Sequence, residues 1–144
     1  MKILTARFGE IDIDPAKIIT FNDGVIGFPE IKRYIILPFM EGTEFELLQA
    51  VDFPNLGFVM INPFLFCEDY AFDITDGEQE MLKAKSIEDV TVKVIVTIPP
   101  DPKDMTANMQ APVVINESRL LAKQVILQDS QWDTKMLVFK NIIS

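Results

Sequence analysis

The chain contains no histidine, so the side chain most often used as a general base is missing. Serine–histidine–aspartate and cysteine–histidine nucleophiles are excluded with it. The single thiol, Cys67, stands in Phe-Leu-Phe-Cys-Glu-Asp. Two adjacent acids disfavour its thiolate, so it reads as a small, partly buried apolar side chain rather than a nucleophile. Carboxylates remain. Asp12 and Asp14 share a face if residues 10–14 are extended, and Glu68 and Asp69 are neighbours. Paired carboxylates serve glycoside hydrolysis and oxygen-ligand metal sites. Such pairs also arise by chance in an acidic chain, and no EF-hand spacing accompanies them. Gly24 and Gly27, in Asn-Asp-Gly-Val-Ile-Gly-Phe, lack the spacing and the Lys-Ser/Thr pair of a phosphate loop. Gly24 reads instead as a turn residue with positive φ, and Phe28 as a plug beneath that turn or, alternatively, an exposed contact. No catalytic, cofactor or metal site is expected.

Charge narrows the partners. The chain has 144 residues, 22 acidic against 13 basic, for a formal net charge of −9. No Lys or Arg occurs from Tyr34 to Leu82, while Glu41, Glu44, Glu46, Asp52, Glu68, Asp69, Asp73, Asp76, Glu78 and Glu80 all fall there. Phosphate binding requires cationic side chains, so direct nucleic-acid binding is not expected. An acidic face would attract basic proteins, although the same charges also serve plain solvation. With 49% hydrophobic residues, a lone cysteine and no long apolar run, the chain reads as one globular domain over residues 1–144, with no membrane association and a reducing, cytoplasmic location.

The elements that must position these residues are mostly strands. Thr91–Ile98 alternates Val92, Val94, Val96 and Ile98 with Thr91, Lys93 and Thr97. Leu56–Ile61 is apolar throughout and reads as covered on both faces. Further strands are predicted over Ile3–Phe8, Glu10–Ile13, Ile18–Phe21, Tyr34–Leu37, Phe45–Val51, Tyr70–Ile74, Ala111–Ile115 and Leu120–Leu127, and Pro38 limits pairing at its position. Thr75 and Glu78 have capping-box spacing, which predicts a helix whose Met81 and Leu82, with Ile87, cover a sheet end. A second short turn starts near Ser86, and residues 130–140 read as strand or helix. Turn residues at short intervals then give an all-β, mainly antiparallel, compact β-barrel-like domain with one or two short helices.

Interaction surfaces are left as the functional currency. Phe53, Phe64, Phe66, Met105 and Met109 fall in loops, where apolar side chains either fold back on the barrel or meet a partner. A barrel lined by some of the eleven phenylalanines could instead hold a small ligand. A carboxylate-based hydrolase and a nucleic-acid-binding barrel are weaker readings.

Several motifs in order carry a family resemblance: Phe-Gly-Glu-Ile-Asp-Ile-Asp near the start, residues 18–37, residues 47–63, residues 90–99, and Thr-Ala-Asn-Met-Gln-Ala-Pro-Val-Val-Ile-Asn from Thr106 to Asn116, with Ala-Lys-Gln-Val-Ile-Leu after it. This order resembles the FliW family of flagellar assembly factors across nearly the whole chain. Met109 stands where that family usually has leucine, a conservative difference. The resemblance implies a β-barrel-like fold and two protein partners. One is flagellin. The other is CsrA, a dimeric RNA-binding translational repressor that the protein antagonises once flagellin has released it. It implies no chemical step; no cofactor is expected, and the chain is expected to be a monomer. Pro99–Pro102 stiffens the loop before the Ala111 strand. Met105 and Met109 are therefore expected as partner contacts, with Phe53 and Asn55 as the second choice. Asn108 and Gln110 are expected to hold the loop to its own backbone.

Overall fold

A computed structural model describes residues 1–128 and 131–139; the side chain of Ile87 also lies outside the described residues. Eleven strands are present among them: β1 (Lys2–Thr5), β2 (Gly9–Asp12), β3 (Ile19–Phe21), β4 (Arg33–Pro38), β5 (Glu46–Ala50), β6 (Gly57–Ile61), β7 (Thr91–Thr97), β8 (Thr106–Ala107), β9 (Val113–Asn116), β10 (Leu121–Gln124) and β11 (Met136–Leu137). β3 to β7 form an antiparallel meander. β9 pairs with both β7 and β10, and β10 pairs with β3, so these seven strands close into a barrel. The β3–β10 pair is parallel and the other barrel pairs are antiparallel.

Closure follows from side-chain alternation. Ile19 and Phe21, Tyr34, Leu48 and Ala50, Met60, Val113 and Ile115, and Ala122 come from six of the barrel strands and form one buried cluster, with Ile95 of β7 packed against it. The register places them opposite one another: Ile19 faces Tyr34, Tyr34 faces Ala50, Met60 faces Ile95, and Ala122 faces both Ile115 and Phe21. This is the barrel interior, because successive residues of a strand point to opposite sheet faces. Phe21 and Tyr34 meet edge to face at 5.0 Å, a favoured aromatic geometry. Near one mouth, Lys93 and Glu46 pair at 3.0 Å. Glu46 is therefore not a free surface acid.

Three outer layers cover the other face. The β1–β2 hairpin sets Ile3 and Ile13 on Ile35 and Val51. The segment around Phe66–Tyr70 and the loop at Met105–Met109 cover Ile61, Val94 and Val96. Helix α1 (Asp76–Leu82) brings Leu82 over Val114, Val125 and Leu127. The capping box forms as expected: Thr75 Oγ1 accepts from the Glu78 N–H, and the Thr75 N–H donates to Glu78. At the other helix end, the Leu82 carbonyl accepts at 2.8 Å from the buried amide of Asn116. The turn near Ser86 is a single 3₁₀ turn, Ile87–Asp89.

The differences from expectation are local. Tyr70–Ile74 is not a strand: Tyr70 closes a turn onto Cys67, and the stretch after it has no pairing strand among the described residues. β1 ends at Thr5, whose hydroxyl turns the chain by accepting from the Phe8 N–H. β10 ends at Gln124, although Val125 and Leu127 still donate to Pro112 and Gln110 carbonyls. The ambiguous 130–140 segment contains the two-residue β11, paired with β8; Ser130 and Lys140 lie outside the described residues. Gly24 has φ +66°, and a Cβ there would fall 2.3 Å from the Phe28 carbonyl oxygen. Glycine is thus required by backbone and space alike. Phe28 is half-exposed, with its ring edge-on to Phe58 at 5.8 Å.

Candidate interaction surface

The candidate nucleophile is inert. Cys67 is buried, and desolvation together with its contact to Asp69 pushes its thiol up to about 11. The carboxylate pairs do not assemble a site. Asp12 closes the β1–β2 ladder, whereas Asp14 has turned away to cap the 3₁₀ turn Pro15–Lys17. Asp69 is engaged by Cys67. No cluster of acids and cysteine among the described residues could hold a metal ion. The barrel interior is filled by Phe21, Tyr34, Leu48, Met60, Val113 and Ile115, each fully buried, which counts against a ligand carried inside it. No described helix is long and apolar enough to cross a membrane.

Met105 and Met109 do not lie on the surface. They are 4% and 0% exposed and belong to the cluster over β7. The expectation that their side chains are partner contacts is therefore corrected. The outer face of β7 is apolar and needs a cover, and the flexible thioethers supply it from the proline loop. The loop is held as expected by Asn108, whose side chain accepts from the N–H groups of Gln110 and Ala111. Tyr70 Oη adds a 2.6 Å bond to the Met109 carbonyl.

Phe53 and Asn55 are different. Both are exposed, Phe53 by 49%, on the tight β5–β6 connection. A buried side chain that sequence reasoning overlooked, Gln49, fixes this turn. Its Nε2 lies 3.1–3.3 Å from the carbonyl oxygens of Ala50, Phe53, Pro54 and Leu56. A –NH₂ group has two hydrogens, so these acceptors share them. Gly57 sits opposite Gln49 in the ladder, where a Cβ would press on Leu47 at 3.0 Å and Gln49 at 3.4 Å. The signal in the sequence was a lone amide inside Leu-Leu-Gln-Ala-Val, since a polar group buried in a strand needs partners.

The turn joins the hairpin through the Ala6 N–H to the Pro54 carbonyl, 2.8 Å. Between them is a groove of about 410 Å³ lined by residues including Arg7, Phe39, Gln49, Asn55 and Gly57. Arg7 lies 3.8 Å above the Phe39 ring, donates to the Phe39 carbonyl, and has no carboxylate partner among the described residues. Phe8 and Phe53, both exposed, stand on the two segments that border the groove. The surface thus combines exposed aromatics with a guanidinium that has no carboxylate partner among the described residues, a composition suited to protein contact.

A family model described as FliW protein matches residues 2–138. The chain belongs to the FliW family. Flagellar assembly factor FliW of Geobacillus sp. (strain WCH70) is 43% identical, with 96% of each chain covered. That of Bacillus subtilis (strain 168) is 39% identical over 94% of each. A crystal structure of the flagellar assembly factor FliW superimposes with a TM-score of 0.90 at 40% identity, covering 96% of both chains. The seven-stranded barrel with outer layers is accordingly the FliW fold, and the chain is a flagellar assembly factor of that family.

Proposed function

We propose that this FliW-family chain acts by binding alone, as a partner-switching regulator in the cytoplasm. Flagellin occupies it while flagellin accumulates. Export of flagellin frees it, and the free protein, a monomer, binds CsrA away from the RNA-contacting surface and relieves repression of flagellin translation. Family membership over nearly the full chain is the observation that carries this reading. The inert thiol and dispersed carboxylates agree with a role that has no chemical step. Partner contact is assigned to the Phe53–Asn55 turn, because Gln49 holds that turn in one shape before any partner arrives, which lowers the ordering cost of binding. The net charge of −9 adds a second effect: docked on an RNA-binding protein, the chain repels phosphate.

Calorimetric titration with CsrA of the same organism, repeated after saturation with monomeric flagellin, tests the switch. Tight binding abolished by flagellin is expected. Binding to CsrA that flagellin leaves unchanged would reject mutual exclusion, and no binding to either protein would reject the proposal. Phe53→Ala with Asn55→Ala should weaken at least one partner tenfold or more while the melting temperature holds. Neutralising Glu44 together with Glu68 should reduce antagonism of RNA binding more than it reduces CsrA affinity; equal losses would remove the electrostatic component.

A further inference from the structure

A second groove lies on another part of the molecule, outside the barrel. It has a volume of about 490 Å³ and runs between two stretches of chain, residues 71–73 with Thr75 on one wall and residues 125–128 on the other. Both walls have backbone to spare. On the first, the N–H and C=O groups of Phe72, Asp73 and Ile74 have no hydrogen-bond partner among the described residues. On the second, Val125 and Leu127 donate to the carbonyls of Pro112 and Gln110, so one edge is paired. Successive peptide groups of an extended chain point to opposite edges. The groups of Ile126 and Gln128 therefore face away from that pairing, and they too are unpartnered among the described residues. β3 pairs with β10 only as far as Ala122 and has left this edge by then.

An unpaired strand edge is a template for another strand. A residue in a sheet takes up roughly 160 Å³, from its ~3.3 Å rise, ~4.8 Å strand spacing and ~10 Å layer depth. The groove therefore accommodates about three residues of extended chain. Its apolar surface comes from Phe72, Trp132 and Ile126, the last 54% exposed. Trp132 is fixed by its indole N–H, which donates to the Ala71 carbonyl at 3.1 Å. The charged residues in the lining are Asp73 and Glu78, with no Lys or Arg. Glu78 is partly engaged in the helix cap, whereas the exposed Asp73 carboxylate has no partner among the described residues.

We propose that this slot is a β-augmentation site for an extended segment of a partner protein, one that alternates an apolar residue with lysine or arginine. Main-chain hydrogen bonds to the unpartnered groups of the Phe72–Asp73 stretch and to Ile126 and Gln128 hold the segment, the apolar side chain rests on Phe72, Ile126 and Trp132, and the basic one meets Asp73. The site is separate from the Phe53–Asn55 turn, and its occupancy does not depend on that face.

The test uses the full chain and three capped six-residue peptides: alternating lysine and valine, alternating glutamate and valine, and the lysine–valine peptide N-methylated at every second residue. Fluorescence of Trp132, the only tryptophan in the chain, reports binding. The expected result is saturable binding of the lysine–valine peptide, at least tenfold weaker for the glutamate peptide and for the N-methylated peptide, and at least fivefold weaker with Asp73→Lys. Equal affinity for all three peptides, no binding at millimolar concentration, or loss with Phe53→Ala but not with Asp73→Lys would overturn the proposal. Sedimentation of the chain alone excludes the nearest alternative: a dimer that Asp73→Lys dissolves would make the occupant a second copy, and the partner-segment proposal would fall.

Discussion

Replacing Gln49 by leucine removes the two hydrogens that hold the β5–β6 turn and leaves a shorter, apolar side chain in their place. Four carbonyl oxygens lie within 3.3 Å of Nε2, but two N–H bonds is the ceiling, each worth about 0.5–1.5 kcal/mol net. The Pro54 and Leu56 carbonyls keep other donors, the N–H groups of Ala6 and Ala50, so the full penalty for orphaned buried acceptors does not apply. The expected loss is about 1–3 kcal/mol. At roughly 2–4 °C per kcal/mol for a chain near this size, the melting temperature should fall by about 2–12 °C. Urea titration gives the free energy directly, and amide hydrogen exchange locates it. The Ala6 and Leu56 amides should lose protection first, because both bond within this turn. Partner affinity should fall along with it although Gln49 is only 2% exposed. A loss below about 0.5 kcal/mol with unchanged exchange at Ala6 and Leu56 would refute the argument that Gln49 organises the surface.

Other perturbations probe the remaining assignments. Met109→Ala empties part of the cluster over β7 and should cost about 2–5 kcal/mol in chemical denaturation; a change under 1 kcal/mol would return that side chain to the surface. Asn116→Leu leaves the buried Leu82 carbonyl without its 2.8 Å donor and should cost about 2–4 kcal/mol, read by thermal melting, whereas Ser118→Ala should cost under 1 kcal/mol. Gly24→Ala should destabilise by at least about 2 kcal/mol through the positive φ and the contact with Phe28, measured by urea titration. Burial raises Cys67 to about 11 and Tyr34 to about 12. Folding therefore favours the protonated forms, and their contribution is complete below the unfolded values near 9 and 10 and declines as pH rises through the folded ones. Stability should fall between pH 9 and 12, with alkylation of Cys67 slow at pH 8; rapid labelling of folded protein would contradict its burial.

Strand positions were legible because alternation is local. All seven barrel strands overlap segments predicted as strands, β7 from its alternation and β6 from an unbroken apolar run, and the Thr75–Glu78 cap predicts α1. Partnership was not legible. Nothing in Leu120–Leu127 says that it pairs in parallel with β3, since such a contact leaves no local periodicity. Tyr70–Ile74 has strand composition but no neighbour on its edge, so propensity was right and pairing failed. Met105 and Met109 lie in a loop by sequence but not in solvent. The apolar character of both faces of β7 was the missed warning: Ile95 points into the barrel, so Val94 and Val96 need a second cover. Phe53 and Asn55 were legible as exposed turn residues, and what lay out of reach was the amide of Gln49 beneath them.

The parallel closure of the barrel has a consequence for how the chain reaches its native state. Lys123 grips Asp23 at 2.6 Å across a hundred residues of sequence, beside the β3–β10 pair. Contacts that distant form slowly, because a long loop must be ordered before they stabilise anything. During synthesis the β3–β7 meander can assemble as it emerges, yet the free edges of β3 and β7 stay open until β9 and β10 leave the ribosome. For that interval the nascent chain exposes Ile19, Phe21 and Ile95 to other chains, a hazard typical of unfinished sheets. The final step is a latch rather than a zipper. Substitutions in β10 should slow folding far more than equal losses of stability in the β1–β2 hairpin, which packs on Ile35 and Val51 and takes no part in closure.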